Sequence, residues 1–329
     1  MSDPASVLPA DSAGEFDLQK EPAARETSAL LLKVAPAIFL LFWSGGFAAG
    51  KVGLAYTGPL TFLAVRYGLI LVILLPILFV MRPALPRTGA EWGHLAVVGL
   101  LIQGLYFSLG YVAISTNISS ATVALIVSLQ PILVALIAPQ ISGERVGNWG
   151  WVGLSLGLAG AVLVILARSR VEVISGIGVL AAVGALGGMT AGTLYEKRFG
   201  ISQHPVTANT VQYAAGFAAT LPLALLLEDR AVEWTLPLGL SLLYLIVCNS
   251  LIALTLLLLM IRNGEVSRVS ALFFLVPPLA AIIGWLLLGE HMPPLAWVGL
   301  ALAAAGVALA TGTLRFQDLR ARWRNTESG

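Results

Sequence analysis

Long, continuously apolar stretches dominate the chain, and short segments rich in Gly, Pro and charged residues separate them. A helix needs about 20 apolar residues to cross the hydrocarbon core of a bilayer. Transmembrane strands would alternate apolar and polar positions, which these stretches do not do. The pattern therefore predicts an all-α membrane protein whose ten transmembrane helices occupy 32–50, 59–81, 92–114, 119–139, 149–168, 175–196, 206–227, 236–260, 266–288 and 294–314.

The composition excludes most other classes of protein. Of 329 residues, 58% are hydrophobic and only 11% are charged, whereas about a quarter are charged in soluble domains. A soluble chain of this size would leave much of the excess apolar surface in water. Soluble enzymes, nucleic-acid binders and disordered chains are therefore excluded, and a net charge of +2 offers no polybasic surface. The expected partners are the lipid bilayer and a small-molecule substrate, with no nucleic acid.

Positive charge is distributed unequally across the predicted membrane. Of the 19 Lys and Arg residues, fourteen fall on the side of the N-terminus and four on the opposite side, with Arg66 inside a span. Cytoplasmic loops carry the excess of positive charge, so we expect both termini to be cytoplasmic and the membrane to be the inner (plasma) membrane. Residues 1–31 are polar and acid-rich and lack the features of a signal peptide. They are predicted to form a disordered cytoplasmic tail, and 315–329 a second cytoplasmic tail.

The sequence also contains an internal repeat with a constant offset of 146 residues. Landmarks that coincide under this shift include Tyr67 with Tyr213, Pro76 with Pro222, Pro131 with Pro277, Gly143-Glu144 with Gly289-Glu290, Trp151-Val152-Gly153 with Trp297-Val298-Gly299, and Gly160 with Gly306. Each half, 32–168 and 175–314, holds five predicted spans, so the second half enters the membrane in the opposite sense. Such inverted repeats build many secondary transporters, whose substrate site lies near the midplane between the halves.

Local motifs accompany the repeat. They are Phe42-Trp43-Ser44-Gly45-Gly46-Phe47, Lys51, Pro59, Val65-Arg66-Tyr67, and prolines within the fourth and ninth spans, which end in Gly-Glu before a Trp-Val-Gly. Over residues 32–314 this pattern resembles the EamA-type family of the drug/metabolite transporter superfamily. The resemblance implies ten helices around a central cavity, cytoplasmic termini, and export of small metabolites, often amino acids.

Arg66 is the outstanding candidate for chemistry, because it lies about eight residues inside the second span. A midspan arginine costs roughly 2.5–3.5 kcal/mol on insertion scales, so it should face protein or water. It is either a clamp for a carboxylate or phosphate or a tether to a neighbouring helix. Its repeat partner is Gln212. Gln103 and Asn249 are also repeat partners, and they either line a polar cavity or form hydrogen bonds between helices.

The remaining candidates are aromatic and polar residues that either line the cavity, pack between helices or belong to an aromatic belt at the membrane interface. They are Trp43, Tyr106, Tyr195, Tyr213 and Asn209. Four prolines lie within spans, namely Pro76, Pro131, Pro222 and Pro277. A proline removes one backbone hydrogen bond and kinks a helix. These kinks serve either gating or a static curvature around the cavity.

Catalysis is not expected. Gly153-Leu154-Ser155-Leu156-Gly157 matches a serine nucleophile motif, but it lies in an apolar helix and no membrane-embedded His or Asp is available to activate it. No cluster of His, Cys and carboxylates suits a metal, and no phosphate-binding P-loop is present. The sequence therefore predicts no catalytic residue, no metal and no cofactor. Because no carboxylate lies well inside a span, a pump that exchanges protons for a lipophilic cation is disfavoured, and a facilitator or an exchanger driven by the substrate gradient fits better. Proton coupling through Glu196 or a histidine stays open as an alternative.

Together these features predict a secondary transporter that exports small polar metabolites, most plausibly amino acids or related compounds, by alternating access. One alternative is a carrier for another class of solute, such as a nucleobase, nucleotide sugar, organic acid or drug. A second alternative is a membrane scaffold without transport activity, which would lack a polar cavity. The sequence leaves both a monomer and a homodimer open.

Overall fold

The computed structural model describes residues 20–116, 123, 126–168, 175–201, 203–288 and 292–312. Over these residues the protein is helical and contains no strand, apart from a single bridge between Thr57 and Val232. The predicted C-terminal tail 315–329 lies outside the described residues, as do residues 1–19 of the predicted N-terminal tail.

The helices follow one another through short connections. They are α1 (Lys20–Gly53), α2 (Pro59–Met81), α3 (Gly89–Ser115), α4 (Gln130–Ile141), α5 (Asn148–Arg168), α6 (Gly176–Phe199), α7 (Pro205–Leu227), α8 (Leu236–Asn263), α9 and α10 (Pro294–Ala310). Helix α9 comprises Val266–Ala271, a 3₁₀ turn at Leu272–Leu275, and Val276–Leu288.

Most of these helices are suited to cross a membrane. Within the described residues, eight helical segments are long and apolar enough to span a bilayer, while α4 and α10 are apolar but shorter. Large apolar side chains point outward along the helices, for example Val72 in the middle of α2 at 68% exposure and Leu180 near the start of α6 at 73%. Lipid, unlike water, imposes no penalty on such surfaces. The chain is therefore a multi-pass membrane protein.

Several helix boundaries differ from the sequence-based expectations. Helix α1 begins at Lys20, inside the segment 1–31 that was expected to be a tail. Pro131 stands in the first turn of α4, and Pro277 stands in the first turn of the part of α9 that follows the 3₁₀ turn. Proline is favoured in a first helical turn because the N–H it lacks would have no partner there. Pro76 and Pro222 do lie inside α2 and α7.

Loop contacts define the two ends of the helix bundle. At one end, here named the Thr57 end, the Thr57 hydroxyl donates to the Ala231 carbonyl over 2.9 Å, and Glu233 N–H donates to the Tyr56 carbonyl over 3.0 Å. At the other, the Gly264 end, Lys197 Nζ donates to the Gly264 carbonyl over 2.6 Å. Successive helices run between these ends in opposite directions.

Close backbone crossings hold the halves of the chain together. A Cβ at Gly160 would lie 2.6 Å from the Gly299 carbonyl oxygen, and one at Gly306 would lie 2.7 Å from the Gly153 carbonyl oxygen. Only glycine permits α5 and α10 to approach so closely, as small residues do at other helix interfaces in membranes. These four glycines thus fix the crossing of α5 and α10.

Candidate substrate cavity

Helices α3 and α8 each contain a π-helical segment, at Leu100–Phe107 and Leu245–Ala253 respectively. A π-helical turn is wider than an α-helical one, and such turns occur frequently at functional sites. The segment in α3 carries Gln103 and Tyr106, and the segment in α8 carries Asn249. The wider turns therefore coincide with three of the polar and aromatic candidates.

A partly open cavity lies between α1, α3, α8 and the segment before α4 that contains Val123 and Val127. It reaches Gly50 and Ile114, which lie within one turn of the helix ends at the Thr57 end. Three of the sequence candidates line it, and they are Trp43, Tyr106 and Asn249. The other lining residues are apolar, aromatic or glycine: Gly46, Phe47, Gly50, Phe107, Gly110, Tyr111, Ile114, Val123 and Val127.

Aromatic rings form the inner wall of this cavity. The Trp43 ring is stacked on the Tyr106 ring at a centroid distance of 6.3 Å and an interplanar angle of 14°. Phe107, another lining residue, lies 5.9 Å from Trp43, and Phe273, which does not line this cavity, packs on Trp43 at 5.7 Å. The faces of such rings carry partial negative charge and attract cations as well as apolar groups. The wall can therefore receive either an ammonium group or an apolar side chain.

Arg66 is fully buried behind this wall. Its Nη2 donates to Asn249 Oδ1 over 2.7 Å and to Ser250 Oγ over 2.6 Å, and its Nε donates to Ser250 Oγ over 3.0 Å. Its Cζ lies 4.9 Å from the centroid of the Phe107 ring. Among the described residues, Nη1 has no hydrogen-bond partner and no carboxylate forms an ion pair with Arg66. The guanidinium is therefore a buried cation without a protein counter-ion in this part of the chain.

The bond from Arg66 fixes the orientation of the Asn249 amide. Because Oδ1 accepts from Arg66, the Nδ2 donor points the other way, toward Gly46 on the cavity wall. A Cβ at Gly46 would lie 2.5 Å from Asn249 Nδ2. The missing side chain of Gly46 thus leaves room for an amide N–H₂ group that faces the cavity.

Three further candidates, Gln103, Gln212 and Tyr213, are buried but do not line this cavity. The Tyr67 hydroxyl donates to the Gln103 backbone carbonyl over 3.0 Å, and the Tyr67 and Tyr213 rings lie 5.5 Å apart. Neither polar atom of the Gln103 side chain has a hydrogen-bond partner among the described residues, and the same holds for Gln212 Nε2 and the Tyr213 hydroxyl. They form a second polar cluster where α2, α3 and α7 meet.

The structure places Tyr195 and Asn209 away from the cavity. The Tyr195 hydroxyl lies 2.9 Å from His94 Nδ1 near the Gly264 end, and its ring packs on Phe199. Asn209 Nδ2 donates to Thr255 Oγ1 over 2.6 Å and so joins α7 to α8. Both residues therefore make contacts between helices, which is the packing role offered by the sequence as the alternative to lining the cavity.

Sequence reasoning missed several residues of the site, chiefly Ser250, Phe107 and Tyr111. Ser250 accepts two of the bonds from Arg66, and Phe107 lies between Arg66 and the cavity. Ser250 could have been found as the polar residue adjacent to Asn249. The π-helical segments could not be predicted from the sequence, because the hydrophobic pattern of an apolar span does not distinguish π-helical turns from α-helical ones.

Comparison with known proteins agrees with this architecture. The family model described as "EamA-like transporter family" matches twice, at residues 30–166 and 176–312. The chain is 29% identical to the uncharacterized transporter YvbV of Bacillus subtilis (strain 168), over 89% of this chain and 94% of the relative. It is 24% identical to the uncharacterized inner membrane transporter YedA of Escherichia coli (strain K12), over 85% and 91% respectively.

A solved structure described only as "Crystal structure of protein" matches the fold with a TM-score of 0.71 at 19% identity. The match covers 85% of this chain and 97% of that one. Together, the two matches of the family model cover most of the described helices. The chain therefore belongs to the EamA-like transporter family, and it is a membrane transporter.

Proposed function

We propose that this protein exports small carboxylate-bearing metabolites, amino acids in particular, across the inner membrane by alternating access. The observation that carries the proposal is Arg66, a fully buried guanidinium with an unpartnered Nη1 and no carboxylate paired with it among the described residues. A buried charge is costly unless it is compensated. An anionic substrate would supply the compensation that the described part of the protein does not.

The cavity offers complementary groups for the two charged ends of an amino acid. Asn249 presents an amide donor to the cavity, and Arg66 behind it adds positive potential. A carboxylate accepts hydrogen bonds from such donors and is attracted by the guanidinium. The ring faces of Trp43, Tyr106 and Phe107 suit the ammonium group or the side chain. In this arrangement Arg66 acts mainly by positioning Asn249 and by its charge.

Alternating access is supported by the relation between the two halves of the chain. The two matches of the family model begin and end 146 residues apart, which is the offset found in the sequence repeat. The two π-helical segments fall at nearly the same offset. If these two units insert in opposite senses, the chain forms five plus five helices in inverted orientation, with both termini on the same side. The excess of Lys and Arg on that side makes it the cytoplasmic one. Rocking of one unit against the other would then expose the cavity to each side in turn.

The test is export from preloaded bacterial cells. Cells that express the protein and cells with an empty vector are loaded with radiolabelled amino acids, nucleobases or organic acids, and loss of label is followed over time. Faster loss of one or more amino acids from expressing cells is the expected result. Faster loss confined to organic acids or nucleobases would replace the amino-acid assignment with that class. No difference for any solute, with the protein present in the membrane, would overturn the proposal.

Two variants test the site itself. Asn249→Leu removes the donor that faces the cavity, and Arg66→Lys keeps the charge but loses the planar set of N–H donors. Both are expected to slow export of carboxylate-bearing solutes. Arg268→Gln is the control, because Arg268 is half-exposed and pairs only with Glu265 at 2.7 Å among the described acidic side chains. Unchanged export by the two site variants would remove the assignment of the site.

A further inference from the structure

The two ends of the helix bundle differ in the contacts between corresponding helices. At the Thr57 end, the cavity extends between α1 and α3 as far as Gly50 and Ile114. The repeat offset of 146 residues relates these helices to α6 and α8, and it relates Gly50 to Glu196 and Thr116 to Arg262. At the Gly264 end, these related helices are joined by an ion pair between Glu196 and Arg262. Corresponding positions are therefore uncharged where the cavity lies and oppositely charged where the helices close.

The Glu196–Arg262 ion pair is largely removed from solvent. The Glu196 side chain is fully buried and that of Arg262 is 20% exposed. The second carboxylate oxygen of Glu196 is buried and has no hydrogen-bond partner among the described residues. Breaking a buried ion pair leaves an uncompensated charge and is strongly unfavourable, unlike breaking an exposed one. This contact therefore contributes to holding α6 against α8.

A second ion pair extends the closure to the loop between α4 and α5. Lys197 Nζ lies 3.1 Å from Glu144 Oε1 and donates to the Gly264 carbonyl over 2.6 Å. Its side chain and that of Glu144 are 20% and 17% exposed. Lys197 thus joins three elements, which are α6, the loop before α5 and the turn after α8.

We propose that Glu196–Arg262 and Lys197–Glu144 together form the gate at the Gly264 end, and that they must separate for the cavity to open there. This inference rests on the proposed alternating-access transport, in which closure at one end accompanies opening at the other. The gate acts on the equilibrium between the two states and does not contact the substrate. Its residues are positioning residues, and weakening them should shift the protein toward the state that is open at the Gly264 end.

The test measures the accessibility of single cysteines from each end. In a Cys248→Ala background, Ile114→Cys reports on the cavity at the Thr57 end. Met260→Cys reports on the Gly264 end, because Met260 is the repeat partner of Ile114 and is 5% exposed. Labelling rates with a membrane-impermeant maleimide are measured on two vesicle preparations, one right-side-out and one inside-out, so that the reagent reaches one end of the protein at a time. Each reporter is studied in four proteins. One has an intact gate, two carry the single variants Glu196→Gln and Arg262→Gln, and the fourth carries the charge-reversed pair Glu196→Arg/Arg262→Glu.

The gate variants should slow labelling at position 114 and speed labelling at position 260, changing the ratio of the two rates about tenfold. The charge-reversed pair should restore the ratio at least in part. The exposed pair at the same end supplies the matched control, so Arg268→Gln should leave the ratio unchanged. Lys197→Gln provides an independent variant, since it breaks the second ion pair and leaves the first intact.

An unchanged ratio in folded Glu196→Gln, Arg262→Gln and Lys197→Gln proteins would overturn the gate. A charge-reversed pair that behaves no better than the single variants would also overturn it, because the effect would then not depend on the attraction. Failure of the proposed function gives a different result. In that case the protein with an intact gate exports no solute of the panel, whatever the ratio of labelling rates.

Discussion

Replacement of Arg66 by Gln separates a role in substrate recognition from a role in holding helices together. The substitution removes three hydrogen bonds, which involve two acceptors, Asn249 Oδ1 and Ser250 Oγ. A buried acceptor that loses its partner costs about 1–3 kcal/mol, so two stranded acceptors correspond to a loss of about 2–6 kcal/mol. The substitution also removes a buried cation that has no counter-ion among the described residues, which is a gain of several kcal/mol.

Since these contributions oppose each other, we expect the free energy of unfolding of Arg66→Gln to lie within about 2 kcal/mol of that of the parent protein. Substrate affinity should respond differently. Loss of a buried, hydrogen-bonded charge from a recognition site costs about 2–5 kcal/mol, so the affinity for a transported amino acid should fall at least about 30-fold.

The assay uses purified protein in detergent. Thermal or denaturant unfolding gives the stability, and stabilisation by increasing concentrations of each amino acid that passes the efflux screen gives the affinity. Arg268→Gln serves as the surface control, for which neither quantity should change. A large loss of stability in Arg66→Gln, together with unaltered affinity in the folded fraction, would refute the reasoning and leave Arg66 as a structural anchor.

Three further outcomes follow from particular contacts. Glu228→Ala removes the acceptor of two N–H groups in the first turn of α2, so stability to denaturant should fall by about 1–2 kcal/mol; an unchanged midpoint would contradict this. Gly160→Leu should abolish folded protein on size-exclusion chromatography, whereas Gly187→Leu, where a Cβ would meet nothing within 4 Å, should be tolerated. Gly46→Ala should slow export but not reduce the yield of folded protein, because its methyl group would displace the Asn249 amide.

The membrane architecture was accessible from the sequence because lipid imposes a simple rule on composition. Every spanning helix must be apolar over about 20 residues, and the hydrophobic pattern located the described helices to within a few residues in most cases. The largest difference concerns α1, which begins at Lys20 within a polar stretch. Hydropathy marks where a helix enters lipid, and it does not mark where the helical backbone begins.

The candidate site was only partly predictable. Arg66 stood out because a charge in an apolar span is rare, but its contacts with Asn249 and Ser250 depend on how distant helices pack. The residues next to Arg66 in the sequence do not indicate which distant helix it contacts. Aromatic residues such as Trp43 and Tyr195 are equally plausible in a cavity wall and in a helix contact, and only the fold separates the two cases.

The long-range partner of Arg66 has a consequence for biosynthesis. Asn249 follows Arg66 by 183 residues, and Glu228 follows the first turn of α2 by 167 and 168 residues. At about 5–20 residues per second, a ribosome needs roughly 10–40 s to add the segment between Arg66 and Asn249. During that interval the guanidinium lacks both acceptors that will enclose it. Arg66 and the first turn of α2 therefore gain these hydrogen bonds only after much of the C-terminal half has been synthesised.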